Sequence, residues 1–285
     1  MAKDMNAKQN NTHSFINSLR DSLRFKALFT LFLSLSALCL TGCESTLNSL
    51  PYRYVPSPSP YQDVVDAQAR ALADNKLLLV VLGAQWCHDS TGLAERFSTP
   101  DMRLILEAHY ETVFVDVGTL EDRRDITTRF NYPIYYATPT VMVVDPKTNA
   151  LLNRTSMAKW GSANSIALNE YIAYFSSFPA YTAQQKQALA GWSANSQEAA
   201  YNAQHAERLQ LAYNQLGPLL ASDINGTTPE GFYDLWKEVK QFRGALQQSM
   251  EKRAVLSVGE DGQGKNEAQT TPALRHYHPF SWETD

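Results

Sequence analysis

The sequence predicts an α/β fold: a central sheet flanked by helices, with an added helical extension at the C-terminal end. Three observations carry this expectation. From residue 61 to 177 the segments run helix, strand, helix, strand, helix, strand, strand, helix. The run Leu77-Leu78-Leu79-Val80-Val81-Leu82 is apolar without a break, the pattern of a strand buried on both faces. Two further helical stretches, 181–221 and 228–253, follow with no strand between them. The chain has 285 residues, 44% hydrophobic and 19% charged, enough to bury a sizeable core. A formal net charge of −4 gives no electrostatic footprint for nucleic acid, and no nucleic-acid partner is expected.

The first segment reads as a targeting signal. Arg20, Arg24 and Lys26 precede 14 uncharged residues, Ala27 to Leu40. A helix that short spans roughly 21 Å at ~1.5 Å per residue, less than the ~30 Å hydrocarbon core of a bilayer. It therefore fits the apolar region of a signal peptide better than a stable membrane span. Leu40-Thr41-Gly42-Cys43 follows directly and resembles the bacterial lipobox. The resemblance implies that residues 1–42 are removed, and that Cys43 becomes the new N-terminus with a diacylglyceryl thioether and an acylated amine. Several acyl chains, palmitate among them, anchor stably where one is marginal. The expected location is the bacterial cell envelope, lipid-anchored and facing the periplasm. The second mature residue is Glu44, not the Asp that retains lipoproteins at the inner membrane in enteric bacteria, so the expectation leans to the outer membrane. Loss of residues 1–42 removes five basic and two acidic side chains, taking the net charge from −4 to −7. An acidic body has no attraction of its own for an anionic membrane surface, so the lipid is expected to supply the anchoring.

The mature chain then divides as follows. Residues 43–60 are the lipidated cysteine and a tether, ending in Pro56-Ser57-Pro58-Ser59-Pro60. Such a run is extended, because proline fixes φ and removes donors. In residues 61–75, Val64, Val65, Ala69, Leu72 and Ala73 recur at helical spacing. The strand at 77–82 ends at Gly83 and leads into Ala84-Gln85-Trp86-Cys87-His88-Asp89-Ser90, and a helical stretch follows. Thr99-Pro100-Asp101 starts another helix, with proline at the first turn. Val113 to Val117 is a strand, 121–130 a helix, and Pro139 opens a strand at Thr140–Val144. Asp145 to Asn149 is a turn, and Leu151 to Thr155 returns as a hairpin strand. Residues 162–177 close the domain as a helix. In the extension (178–256), Phe232, Leu235, Trp236, Val239, Phe242 and Leu246 form one apolar stripe. It is expected to pack on the domain or on the other long helix. Residues 257–285 are polar and Gly-rich before three aromatics, and most of this tail is expected to be disordered.

Trp86-Cys87-His88-Asp89-Ser90 after a buried strand resembles the thioredoxin active-site turn, with serine in place of the second cysteine. Thr138-Pro139-Thr140, about fifty residues on, resembles the cis-proline loop of that family. The resemblance covers roughly residues 61–177 and implies a thioredoxin-like fold with a mixed sheet. It places Cys87 as nucleophile, with His88 and Ser90 beside it. It also implies that Trp86, Thr138 and Pro139 contact an extended substrate. A helix N-terminus favours a thiolate through its partial positive charge and free N–H groups. His88 adds positive charge when protonated, while Asp89 opposes a thiolate. The Ser90 hydroxyl, in the place of the resolving thiol, is in position to donate a hydrogen bond to a thiolate.

Two departures from the family pattern shape the functional reading. Serine forms no disulfide, so a mixed disulfide at Cys87 needs another thiol to resolve it. Cys39 lies in the segment expected to be removed and Cys43 carries the lipid, which leaves Cys87 as the mature thiol. The buried acid that the family often has six residues before the nucleophile is Val81 here. The reading that follows is single-cysteine thiol exchange, isomerase-like or mixed-disulfide forming. Its partners would be exported proteins with thiols or disulfides, together with an external thiol or reductase. The alternative is a non-catalytic binding module for an envelope protein, with Cys87 incidental. A metal or cofactor chaperone has little support from one cysteine. His276 and His278 alone do not make up the three or four ligands of a metal site. No metal and no cofactor are expected.

Overall fold

The computed structural model describes residues 50–259, 262 and 273–283. The signal segment 1–42, the lipidation position Cys43 and the first part of the tether lie outside the described residues. So do residues 260–261, 263–272 and 284–285 of the tail.

Four strands form one mixed sheet in the order β2-β1-β3-β4. Strand β1 (Leu77–Gly83) is central. It pairs in parallel with β2 (Tyr110–Asp116), Val80 opposite Val113. On its other side it pairs antiparallel with β3 (Thr140–Asp145), Val80 opposite Met142. The short β4 (Ala150–Leu151) closes that edge. The unbroken apolar run of β1 now has its explanation. Side chains alternate between faces along a strand. Leu78, Val80 and Leu82 enter one core with Met142 and Val144. Leu79 and Val81 enter a second core with Val141 and Val143. Each fully buried side chain of this kind contributes about 1.5–3 kcal/mol.

Helix α1 (Pro60–Ala73) starts with proline in its first turn and buries Val64, Ala67 and Ala71 in the first core. Helices α2 (His88–Phe97) and α3 (Pro100–His109) cover the second core through Leu93, Phe97, Met102 and Leu106. Helix α5 (Leu168–Ala180) joins them with Tyr171, Phe175 and Phe178. The segment read as tether contributes Tyr54, 2% exposed, to the same core. The Tyr52 amide also donates to Ser98 Oγ at 2.9 Å.

Four elements differ from the expectation. The closing helix read at 162–177 is α5, starting only at Leu168, after a 3₁₀ segment Ala158–Ser165 with non-helical backbone at Ser162. The helix at 121–130 shrinks to α4 (Arg124–Thr127) and one 3₁₀ turn (Thr128–Phe130). Arg123 instead folds back to donate to the Asp116 carbonyl through Nε and Nη2, at 3.2 and 3.1 Å. The return strand is only two residues long. Beyond it, the buried Asn153 side chain completes the edge of β3: its Nδ2 donates to Val141 O and its Oδ1 accepts from Val143 N, both at 2.9 Å. The stretch 181–221 is two helices, α6 (Ala183–Ala190) and α7 (Ser196–Ile224). Gly191 ends the first, and Asn195 caps the second with Glu198 in a capping box.

Helix α8 (Phe232–Val258) completes the extension. Its Phe232, Val239, Phe242, Leu246 and Met250, with Leu209, Tyr213, Leu216 and Leu220 of α7, lie in the same core as Leu78, Val80 and Leu82. The two long helices therefore share the core of one sheet face. Glycine at 217 permits close approach: a Cβ there would lie 2.6 Å from the Thr119 carbonyl oxygen. Of the tail, Phe280 is 2% exposed in this core.

Candidate functional site

Cys87 is the N-cap residue of α2, with extended backbone (φ −91°, ψ 117°). Its amide donates to Ala84 O at 3.2 Å, and its carbonyl accepts from the Thr91 amide at 3.0 Å. The turn is thus held by the helix it starts. The side chain is a free thiol, half-buried. The Thr138–Pro139 peptide bond is cis. The Thr138 carbonyl accepts from Cys87 Sγ at 3.0 Å, which joins the two motifs that were separate in sequence. Thr138 and Pro139 are themselves buried.

The neighbours of Cys87 divide by role. Trp86 is half-buried, and its indole N–H donates to Gly118 O at 2.7 Å. His88 is exposed, with Nε2 3.2 Å from the Asn164 side-chain amide. Asp89 Oδ1 accepts from the Asn164 backbone amide at 3.0 Å. Asn164 belongs to the 3₁₀ segment Ala158–Ser165, and Arg96 Nη2 donates to its carbonyl at 2.7 Å. Asn164 thus fastens the first turn of α2, and nothing in its sequence surroundings marked it.

Ser90 is fully buried, three residues into the helix that Cys87 caps. The N-cap and this position are neighbours on the first turn. Its hydroxyl lies beside Tyr54. A Cβ on Gly83 would stand 2.6 Å from both Ser90 Oγ and Tyr54 Cζ, so glycine is required at the end of β1. Neither the Ser90 nor the Tyr54 hydroxyl has a hydrogen bond of ordinary geometry. Burial raises the Tyr54 phenol well above its ordinary value, with the Ser90 hydroxyl opposing. Val81 lies in this same apolar core. A carboxyl does occur on the neighbouring strand: burial raises Asp116 above the ordinary range, opposed by the Gly118 amide and by Arg123.

The extension meets the Cys87 turn and the segment that leads into the proline loop. Trp236 of α8 meets Trp86 edge to face. The Tyr213 hydroxyl of α7 donates to Tyr135 O at 3.0 Å, just before the proline loop. Gln247 donates to the Tyr132 hydroxyl at 3.1 Å. Between the cysteine and α8 lies an open groove of about 250 Å³, lined on one side by Cys87 and Thr138 and on the other by Trp236, Lys240, Arg243 and Gly244. Sequence reasoning did not bring these α8 residues to the site. Its one signal there, the apolar stripe, located the buried face of α8 but not the loops that its flank meets. Among the described residues, no cluster of three or more His, Cys, Asp or Glu side chains is placed to hold a metal ion.

A family model described as thioredoxin-like matches residues 59–146, from just before α1 through β3. Among solved structures, the chain is similar to one titled "The crystal structure of disulphide isomerase from Xylella fastidiosa Temecula1". The identity is 22% and the TM-score 0.42, over 46% of this chain and 99% of that chain. No curated protein matches. The fold is thioredoxin-like, a mixed four-stranded sheet flanked by helices, with a helical C-terminal region.

Proposed function

We propose that this protein is a thiol-exchange protein of the bacterial cell envelope that uses Cys87 as its nucleophile. The observation that carries the reading is the position of the thiol. It is half-exposed at the N-terminus of α2, 3.0 Å from the carbonyl that precedes cis-Pro139, and it faces an open groove. The lipobox-like segment at Cys43 supports a lipid-anchored protein facing the periplasm, and Glu44 after it favours the outer membrane over the inner.

The reaction needs no external electrons. Cys87 gives up its proton, and the thiolate attacks one sulfur of a substrate disulfide. A mixed disulfide forms between Cys87 and that sulfur. The other substrate sulfur leaves as a thiolate and takes up a proton. A further thiol, of the same substrate or of a partner, then attacks the mixed disulfide. Cys87 is restored and the disulfide has moved. Ser90 supplies no thiol for the second step, so the mixed disulfide persists until another thiol arrives.

Non-reducing gels of envelope extracts test this. The wild-type protein is expected to run in adducts that reductant dissolves and that Cys87→Ser lacks. Ser90→Cys places a thiol on the same helical turn, and its adducts are expected to clear into an internal disulfide. Absence of Cys87-dependent adducts would sink the proposal. The alternative, a non-catalytic binding module, draws on the apolar surroundings of Val81 and the missing second thiol. It expects partners that co-purify equally well with the Cys87→Ser protein.

A further inference from the structure

The proposal here rests on the thiol-exchange reading and concerns what the groove selects. Among the described residues, three ion pairs engage charged side chains of the two long helices. Arg208 of α7 pairs with Glu283 at 2.8 Å. Arg253 of α8 pairs with Glu198. Arg124 of α4 pairs with Asp122 and with Glu207 of α7.

Arg243 of α8 is different. It is 8% exposed. Its guanidinium donates to the Tyr213 hydroxyl at 3.4 Å and lies over the rings of Trp236 and Tyr213, at 5.5 and 5.9 Å. No carboxylate among the described residues lies within ion-pair distance of it. A buried cation is costly unless an anion meets it. Arg243 lines the groove that Cys87 faces, and so does Lys240, one turn earlier, exposed and also without an ion-pair partner among the described residues. The acidic group on this groove is Asp89, and its Oδ1 is engaged by the Asn164 amide.

The space is provided as well. Gly244 sits in the interior of α8, where glycine weakens a helix relative to alanine. A Cβ there would meet nothing within 4 Å. No close approach of another chain segment requires glycine at this position. Its consequence is room beside Lys240 and Arg243, opposite the thiol.

We infer that α8 is the specificity wall of this site: Lys240 and Arg243 accept a carboxylate side chain on an extended polypeptide whose cysteine reacts with Cys87. The substrate class is then acidic cysteine-containing segments of partner proteins. This gives the C-terminal extension a role that the thioredoxin-like domain alone does not have.

The test uses the purified full-length protein in detergent and two synthetic peptides. Each carries one cysteine as a mixed disulfide with a chromogenic thiol. One has aspartates flanking the cysteine, the other asparagines. A neutral aromatic disulfide reports the reactivity of Cys87 itself. Release of the chromogenic thiol is expected to be about 5-fold faster from the acidic peptide at low salt, from a partly exposed pair of charges. The preference should shrink as salt rises, and Lys240→Glu should abolish or reverse it. Lys240 is exposed, so that variant folds. Gly244→Leu, which fills the open space, should slow both peptides. Equal rates for the two peptides, or a preference indifferent to Lys240→Glu and to salt, overturn the inference while leaving thiol exchange standing. Failure of the neutral disulfide to react with Cys87 overturns thiol exchange instead. In that case equilibrium binding of the fluorescently labelled acidic and neutral peptides to the Cys87→Ser protein decides the groove, and equal binding overturns it.

Discussion

The indole of Trp86, one residue before the cysteine, meets the indole of Trp236 edge to face, with ring centroids 5.9 Å apart. The two residues belong to different ends of the chain, one on the turn after β1 and the other on α8. Trp86 is held on a second side by Gly118 O. Replacing Trp236 with alanine removes one wall and keeps the other. A half-buried aromatic pair of this kind is expected to cost ~1–3 kcal/mol when truncated. Urea unfolding should show that loss, and the Trp86 indole N–H resonance should shift while remaining hydrogen-bonded.

Two glycines on the long helices should respond in opposite directions to alanine. At Gly217 the new methyl would stand 2.6 Å from the Thr119 carbonyl oxygen. Backbone must move, at a cost of ~1–3 kcal/mol. At Gly244 the methyl meets open space, and the helix gains roughly 0.5–1 kcal/mol. Both are read from urea midpoints. Equal shifts of the same sign would show that the packing of α7 against the loop after β2 is wrong.

His205 of α7 lies among Tyr201, Phe242 and Tyr277. Burial lowers its pKa below the ordinary histidine value, and the nearby Arg208 and His276 lower it further. The folded protein therefore favours the neutral ring. The stability this contributes is present above about pH 6.5 and is lost as pH falls from there through the folded value. Wild-type Tm is expected to drop more between pH 7.5 and 5.5 than that of His205→Phe, whose ring fits the same aromatic surroundings. Parallel Tm curves would contradict this.

Glu251 of α8 has the opposite sign. Burial raises its carboxyl above the ordinary value, opposed by the backbone amides of Ala158 and Met157. The Ala158 amide donates to its Oε2 at 2.7 Å. A raised carboxyl pKa makes the fold more stable below the unfolded pKa than above the folded one. Glu251→Gln keeps an acceptor for Ala158 and removes the charge. Its Tm should exceed wild type at pH 7, by no more than ~4 °C for a domain of this size, and the gap should close toward pH 4. A variant less stable at both pH values would rule out this account.

Much of the sheet was legible because its signals are local. The apolar run 77–82 required burial on both faces, and β1 lies between β2 and β3 with a core on each side. The proline in Thr99-Pro100-Asp101 marked the start of α3. The return strand was less legible, because a side chain, Asn153, takes over the hydrogen bonds that a strand backbone would make. Asn164 gave no signal at all, since its partners His88, Asp89 and Arg96 are distant in sequence.

What the sequence determined by itself, then, is the succession of strands and helices and the position of Cys87 in the turn after a buried strand. Each depends on neighbouring residues or on a period of two or 3.6 along the chain. What only the tertiary structure decided is the company that Cys87 keeps. Thr138 O, Trp236, Lys240 and Arg243 reach it across more than fifty residues of chain. Which flank of α8 faces the thiol follows from how its apolar face docks on the sheet, and no local pattern encodes that docking angle.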